Sequence, residues 1–110
     1  MNDIGKTLAI AKAMYPSARI VNNDEVIRED EFGHSYTFRP LTNPEQSQMV
    51  QAHFRITVEI AEASWLPQIS SYIYEEDAEF SSFYVADDTP TPESIRRAIF
   101  ESAYLKASES

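Results

Sequence analysis

Apolar residues at helical spacing predict a first helix early in the sequence. They recur every three or four residues and stop before Pro16: Ile4, Leu8, Ala11 and Tyr15. The short apolar run Ala18 to Val21 is closed by turn-forming residues and predicts an edge strand. The next segment, Asp24 to Glu31, is mostly charged and is assigned to no element. Alternation from His34 to Arg39 predicts a second strand.

A second helix has a clear start signal. Asn43 can cap its N-terminus, Pro44 suits the first helical position, and Gln46 completes a capping box. The apolar pattern then carries the helix to about His53. These signals predict a helix at a definite place in the middle of the chain.

The clearest strand signal follows this helix. Apolar and polar residues alternate strictly from Phe54 to Ile60, so we expect one buried and one exposed face. Two further apolar segments, Ile69 to Tyr74 and Phe80 to Ala86, flank a run of acidic residues. Together they predict an antiparallel hairpin or meander.

The last helix opens at Thr91 with a cap, a proline and an acidic first turn. Phe100 and Tyr104 fall nearly opposite the face expected in the core, which holds Ile95, Ala98, Ile99 and Ser102. We therefore expect Phe100 and Tyr104 at the surface, where exposed aromatics anchor interfaces, or buried in a homodimer.

The order of these elements predicts an α+β fold. We expect an α/β sandwich with two to three helices packed on a small antiparallel sheet. The 110 residues form a single α/β domain, 1–110, with no internal repeat or linker.

Charge is unevenly distributed along the chain. Eighteen acidic and nine basic residues give a net charge of −9, yet Ile56 to Ile95 contains no Lys or Arg. This base-free stretch holds half of the acids: Glu59, Glu62, Glu75, Glu76, Asp77, Glu79, Asp87, Asp88 and Glu93. The other acids are matched in number by the bases. Such a field repels nucleic acid and the membrane surface and favours encounter with a basic partner.

The chain carries no recognisable catalytic or cofactor-binding motif. It has no cysteine and only two glycines, Gly5 and Gly33, which excludes thiolate chemistry and glycine-rich phosphate loops. His34 and His53 lack the spacing of a metal or relay site, and the acidic run lacks the pattern of a calcium loop. We therefore expect no enzyme activity, no metal and no cofactor, in a cytoplasmic protein without a membrane span.

Two segments resemble small proteins of tailed phages. FRPLTNPE, residues 38–45, followed by a helix and a strand, resembles the start of the middle helix in the phage ABA-sandwich and NinX-like group. TPESIRRAIF, residues 91–100, is similar to the closing helix of those proteins. The resemblance spans roughly residues 36–106. It implies an α/β sandwich made by a phage or prophage in a bacterial host cell, with no catalytic residues carried over.

The acidic residues of the hairpin and of the segment after it are the candidate partner-binding site, with Phe100 and Tyr104: Glu75, Glu76, Asp77, Glu79, Asp87 and Asp88. Carboxylates spaced in this way can mimic nucleic acid by presenting charge to Arg and Lys side chains that normally hold phosphates. Small phage accessory proteins of this kind include anti-CRISPR proteins.

The leading hypothesis is a non-enzymatic inhibitor of a basic, nucleic-acid-handling host defence protein, such as a CRISPR effector subunit. It predicts protein–protein interaction without direct binding of nucleic acid or membrane. The alternatives are a small phage ligand-binding protein or enzyme with an unrecognised pocket, and a structural homo-oligomer. The acidic run itself has a simpler interpretation as a solubilising turn.

Overall fold

In the computed structural model of the chain, the described residues are 2–63, 66–74, 80–86 and 90–109. Within them lie three α-helices and six β-strands: α1 (Asp3–Met14), β1 (Arg19–Val21), β2 (Glu25–Glu29), β3 (Ser35–Thr37), α2 (Pro44–Phe54), β4 (Ile56–Ala63), β5 (Leu66–Tyr74), β6 (Phe80–Ala86) and α3 (Pro92–Ala107).

The strands form two antiparallel sheets. The first has the order β1-β2-β3 and the second the order β4-β5-β6, so sequential strands are neighbours in both. The α+β class and the packing of helices on antiparallel sheet are confirmed. The structure has two small sheets where one was predicted, because β1, β2 and β3 form a sheet separate from the one that contains the predicted hairpin, β5–β6.

Helices α1 and α3 connect the two sheets. The first sheet packs on α1, the second packs on α3, and both α1 and α2 contact α3. A single apolar core runs through these layers: Ile10, Ala11, Ala18, Val26, Phe38, Val50, Ile56, Ile73, Ile99, Phe100 and Ala103. α3 is therefore the element through which the two halves of the molecule share one core.

The central strand of the first sheet, β2, escaped sequence analysis because it is rich in charge. Val26 points into the core and is 1% exposed, while charged neighbours pair across the sheet. Arg19 donates to Glu29 at 2.7 Å, and the guanidinium of Arg28 lies between the rings of Tyr15 and Tyr36, at 4.5 and 4.7 Å from their centroids. The predicted edge strand Ala18 to Val21 is confirmed as β1.

The predicted helix caps are present, with one difference. The Asn43 side chain accepts from the backbone N–H of Gln46 at 3.1 Å, as expected. Gln46 does not return a bond to Asn43; its amide donates to the carbonyl of Thr37 at 2.7 Å and accepts from the N–H of Arg39. The predicted capping box is wrong here, because Gln46 instead fixes the start of α2 to the chain after β3.

The start of α3 matches its prediction. Thr91 caps the helix, Pro92 occupies its first position, and Ser94 forms a reciprocal capping box with Thr91. Further along the helix, the hydroxyl of buried Ser71, in β5, donates to the carbonyl of Ala98 at 2.6 Å. The helix is thereby fixed both at its end and along the sheet that it covers.

The prediction that Phe100 lies at the surface is wrong. Phe100 is 1% exposed, because α3 is covered by the second sheet and also by α1 and α2. A helix packed on more than one side buries residues that a single apolar face would leave outside. Tyr104 is half-buried beneath Lys6, whose ammonium lies 5.3 Å from the ring centroid.

Candidate functional site

The outer face of the second sheet lies within the base-free stretch, and residues of β4 and β5 form part of it. Ile56 pairs with Ile73 on the inner face, and the next pair, Thr57 with Tyr72, faces outward. The Tyr72 hydroxyl donates to Oε1 of Glu59 at 2.7 Å. This bond, with burial and the charge of Glu59, raises the pKa of Tyr72. The exposed carboxylate of Glu59 is thus held in place on a sheet whose strands contain no Lys or Arg.

The basic residues are used elsewhere. Six of the nine form ion pairs among the described residues, and only the weakest of these pairs involves an acid of the base-free stretch. The shortest described pair of each base is Lys6–Glu101 (2.9 Å), Arg19–Glu29 (2.7 Å), Arg39–Glu25 (3.4 Å), Arg97–Asp3 (2.9 Å), Lys106–Glu109 (3.3 Å) and Arg96–Glu93 (3.8 Å). Charge in the first sheet and the helices is therefore compensated locally.

The strongest of these contacts clamps α1 to α3. Arg97 donates from its two terminal nitrogens to the two carboxylate oxygens of Asp3, each at 2.9 Å. Arg97 also reaches Glu101 at 3.3 Å, and Glu101 accepts from Lys6. Hydrogen bonding by Arg97 holds the pKa of Asp3 below its usual value, and the same carboxylate raises the pKa of Arg97. This network stabilises the helix layer.

The six predicted acidic site residues, Glu75, Glu76, Asp77, Glu79, Asp87 and Asp88, lie outside the described residues. The residues that adjoin them are informative. Phe80 and Ala86 begin and end β6, a strand of seven residues that spans roughly 20 Å. The two acidic runs thus adjoin opposite ends of one strand, so they are to be tested as separate groups.

Neither histidine belongs to a cluster of metal-ligating side chains within the part of the chain that the structure describes. The His34 side chain is 72% exposed and its Nδ1 lies 3.4 Å from Asp30, while the His53 ring packs edge-on against Phe54 at 4.8 Å. Among the described residues there is no group of three His, Asp or Glu side chains that could hold a metal ion.

A cavity of about 180 Å³ lies between α1, the β1–β2 turn and residues 38–42. Val26, Phe38 and Pro40 line it and are buried, whereas Asp24 and Arg39 line it and are exposed. This cavity has no local signal in the sequence, because its walls come from three separate segments of the chain. A more open, polar depression of about 660 Å³ lies beside it, over the start of α2.

Comparison of the chain with family models, curated proteins and solved structures gives no match. Within the described residues, no helix has both the length and the apolar character needed to cross a membrane. The resemblance to the phage ABA-sandwich and NinX-like group stays a prediction. The features that bear on function are therefore the distribution of charge and the shape of this surface.

Proposed function

We propose that the chain is a non-enzymatic binding protein whose second sheet presents acidic side chains to a basic protein partner. One observation carries the proposal. The base-free stretch builds the second sheet, while among the residues that the structure describes, six of the nine basic residues form ion pairs in the first sheet and the helices. Along the sequence, the excess of negative charge thus falls in the stretch that contains the second sheet.

Electrostatic screening explains why this segregation matters for recognition. At physiological ionic strength, fields decay over about 8 Å, so paired charges cancel at the distance of an approaching protein and unpaired ones do not. Among the described residues Glu59 has no ion-pair partner, and it is exposed and oriented by the Tyr72 hydroxyl. Arg and Lys side chains bind carboxylates by charge-assisted hydrogen bonds, as they bind phosphates. A basic surface that holds nucleic acid is therefore the complementary partner.

The more specific proposal is an inhibitor of a nucleic-acid-handling defence protein, such as a CRISPR effector subunit, acting in the bacterial host cytoplasm. It is supported by the residues shared with the small phage proteins, together with the acidic sheet. Inhibition follows from occupancy, because a basic groove filled by carboxylates cannot hold phosphates at the same time.

The proposal is tested by charge reversal with a matched control. The double variant Glu75→Lys, Glu76→Lys changes the net charge by the same amount as Glu31→Lys, Glu45→Lys. Glu31 and Glu45 are exposed and form no ion pair among the described residues. In pull-downs from bacterial lysate, with bound proteins identified by mass spectrometry, the first variant should lose its partner and the control should retain it.

Salt and competing DNA complete the experiment. Capture by the unmodified chain should weaken steeply as salt rises, and an excess of double-stranded DNA should displace the partner. A third variant, Asp87→Lys, Asp88→Lys, reports whether the acids next to the other end of β6 contribute. Equal losses in the hairpin variant and the matched control, or capture indifferent to salt, would contradict the proposal.

A further inference from the structure

The cavity beside α1 has an apolar interior with a fixed shape. Val26 and Phe38 form part of its buried lining, at 1% and 3% exposure, and half-buried Ile4 and Leu41 line it nearer the solvent. The Leu41 backbone is held in place, because its carbonyl accepts from Nε of Arg96 on α3 at 2.9 Å. The cavity therefore belongs to the folded core and does not depend on a loose loop.

The size of the cavity suits one long side chain. Its volume of about 180 Å³ equals that of roughly six water molecules in the liquid. The side chain of arginine has a comparable number of heavy atoms, with an alkyl stem that packs on apolar surface and a charged head that stays near water. An arginine that lies across the cavity places its stem on the apolar lining and its head at the polar rim, where exposed Asp24 lies.

The charge at the mouth is negative and incompletely compensated. Asp3 is occupied by Arg97, and Glu25 accepts from the Thr37 hydroxyl at 2.8 Å and from Arg39 at 3.4 Å. Asp24 lines the same mouth, is exposed, and has no ion pair or hydrogen-bonded side-chain partner among the described residues. One carboxylate is thus available to a cation from outside.

The β1–β2 turn holds Asp24 in a defined position. Asn22 and Asn23, the two residues at its centre, are both left-handed, with φ of 55° and 63°. Asparagine tolerates this conformation, and two such residues form the tight turn that matches the twist of a hairpin. The Asp24 N–H donates to the carbonyl of Val21 at 3.4 Å and closes the turn.

We infer that this cavity holds an arginine side chain contributed by the protein partner, with its alkyl stem on the apolar lining and its guanidinium at Asp24. The assignment of the occupant to a partner rests on the proposed function, which calls for a basic protein. Arginine suits the site better than lysine, because its guanidinium is less strongly hydrated and binds carboxylate with two donors. The cavity would be a specific anchor, separate from the acidic second sheet.

The inference is tested on the isolated protein with peptide probes. An acetylated, amidated pentapeptide with arginine between two alanines on each side is compared with the same peptide carrying citrulline, which replaces the guanidinium with a neutral group of the same shape. Titration is followed by methyl NMR of Ile4, Val26 and Leu41. The arginine peptide should give saturable shifts at these methyls, and the citrulline peptide should bind about tenfold more weakly.

Variants locate the binding group. Asp24→Asn keeps the size of the side chain and should weaken the arginine peptide roughly three- to fivefold, as for an exposed ion pair. Glu31→Gln, which removes one charge next to the opposite end of β2, is the matched control and should leave the affinity unchanged. Arg39→Gln removes a competing cation from the mouth and should strengthen binding. Equal binding of both peptides, equal effects of the two acidic variants, or weaker binding by Arg39→Gln would overturn the inference.

A free alkylguanidine tests whether the guanidinium bound in the cavity comes from a protein side chain or from a small molecule. If n-butylguanidine shifts these methyls and the arginine peptide does not, the cavity admits a small molecule only, which also overturns the inference. The readout is independent of the hairpin experiment. If the arginine peptide binds saturably and hairpin charge reversal does not change capture of the partner, the arginine site stands and the acidic second sheet does not determine partner binding. If the peptide does not bind and charge reversal abolishes capture, the proposed function stands and the arginine site is wrong.

Discussion

The two sheets are built alike and charged differently. Each is a three-stranded antiparallel sheet that buries one face on a helix and exposes the other. On the first sheet, acidic side chains are met by Arg19 and Arg39, whereas on the second, the partner of Glu59 among the described residues is the hydroxyl of Tyr72. Exposed ion pairs contribute little to stability, so packing leaves the charge of an outer face free to vary. The difference in charge between the two sheets therefore affects which molecules each sheet can bind more than how stable it is.

Two tyrosines show the same contrast on a small scale. Tyr36 donates to Asp30 at 3.1 Å in the first sheet, as Tyr72 donates to Glu59 in the second, and in both cases the carboxylate raises the pKa of the phenol. At Tyr36 a nearby cation, Arg28, acts in the opposite direction. A similar hydrogen bond thus raises the pKa of a phenol in both sheets, and in the first sheet a described cation opposes it.

The largest expected effect is a loss of stability that affects both sheets in a single unfolding transition. Phe100→Ala removes the largest fully buried side chain from the helix that both halves share, and should cost about 3–5 kcal/mol of unfolding free energy. Urea denaturation measures the loss, and amide signals from the two sheets should disappear in one transition. Phe100→Leu, expected to cost less, keeps the measurement possible if the alanine variant does not fold.

Leu105→Ala is the matched control on the same helix. Leu105 is 39% exposed, so its truncation should cost well under the value for Phe100. Separate transitions for the two sheets, or a larger loss at Leu105 than at Phe100, would show that α3 does not join one common core.

A smaller loss of stability is expected when the ion pair between Asp3 and Arg97 is removed. Asp3→Asn removes the acid that clamps Arg97, and at pH 7 should cost less than about 1 kcal/mol, because Asp3 is half-exposed. The folded pKa of Asp3 lies below the ordinary value of 3.8. Its contribution is therefore complete above that value and is lost as the pH falls through the folded pKa.

Urea denaturation at pH 7 and near pH 2 measures this contribution. The stabilities of the unmodified chain and of Asp3→Asn should converge at the lower pH and in high salt. Glu59→Gln on the second sheet is the control, because Glu59 has no cationic partner among the described residues. A gap for Asp3→Asn that stays constant with pH would mean that the clamp is not electrostatic.

The smallest expected effect is spectroscopic. Arg28→Met keeps an apolar stem between the two rings but removes the cation, so the pKa of Tyr36 should rise further. Glu59→Gln removes the acceptor and should lower the pKa of Tyr72 toward its ordinary value. Carbon NMR of the phenol ring, titrated to alkaline pH, measures both. An unchanged Tyr36 in Arg28→Met would remove the electrostatic contrast between the sheets.

The helices and the second sheet could be predicted from sequence because their signals are local. Caps such as Asn43 and Thr91 act within a few residues of themselves. β2 could not be found in this way, because its charged residues are satisfied by partners on other strands. Phe100 was misplaced because burial on the flanks of α3 depends on where α1 and α2 pack. The cavity required segments brought together only by the finished fold.

The central position of α3 has a consequence for synthesis. This helix follows both sheets in the chain; the second sheet packs on it directly, and the first sheet is joined to it through α1. While α3 is still within the ribosome, the strands of the second sheet lack the helix on which they pack, and exposed apolar strands are prone to aggregate. The common core is complete only once α3 has emerged, and until then repulsion between the acidic side chains of the base-free stretch opposes association of nascent chains.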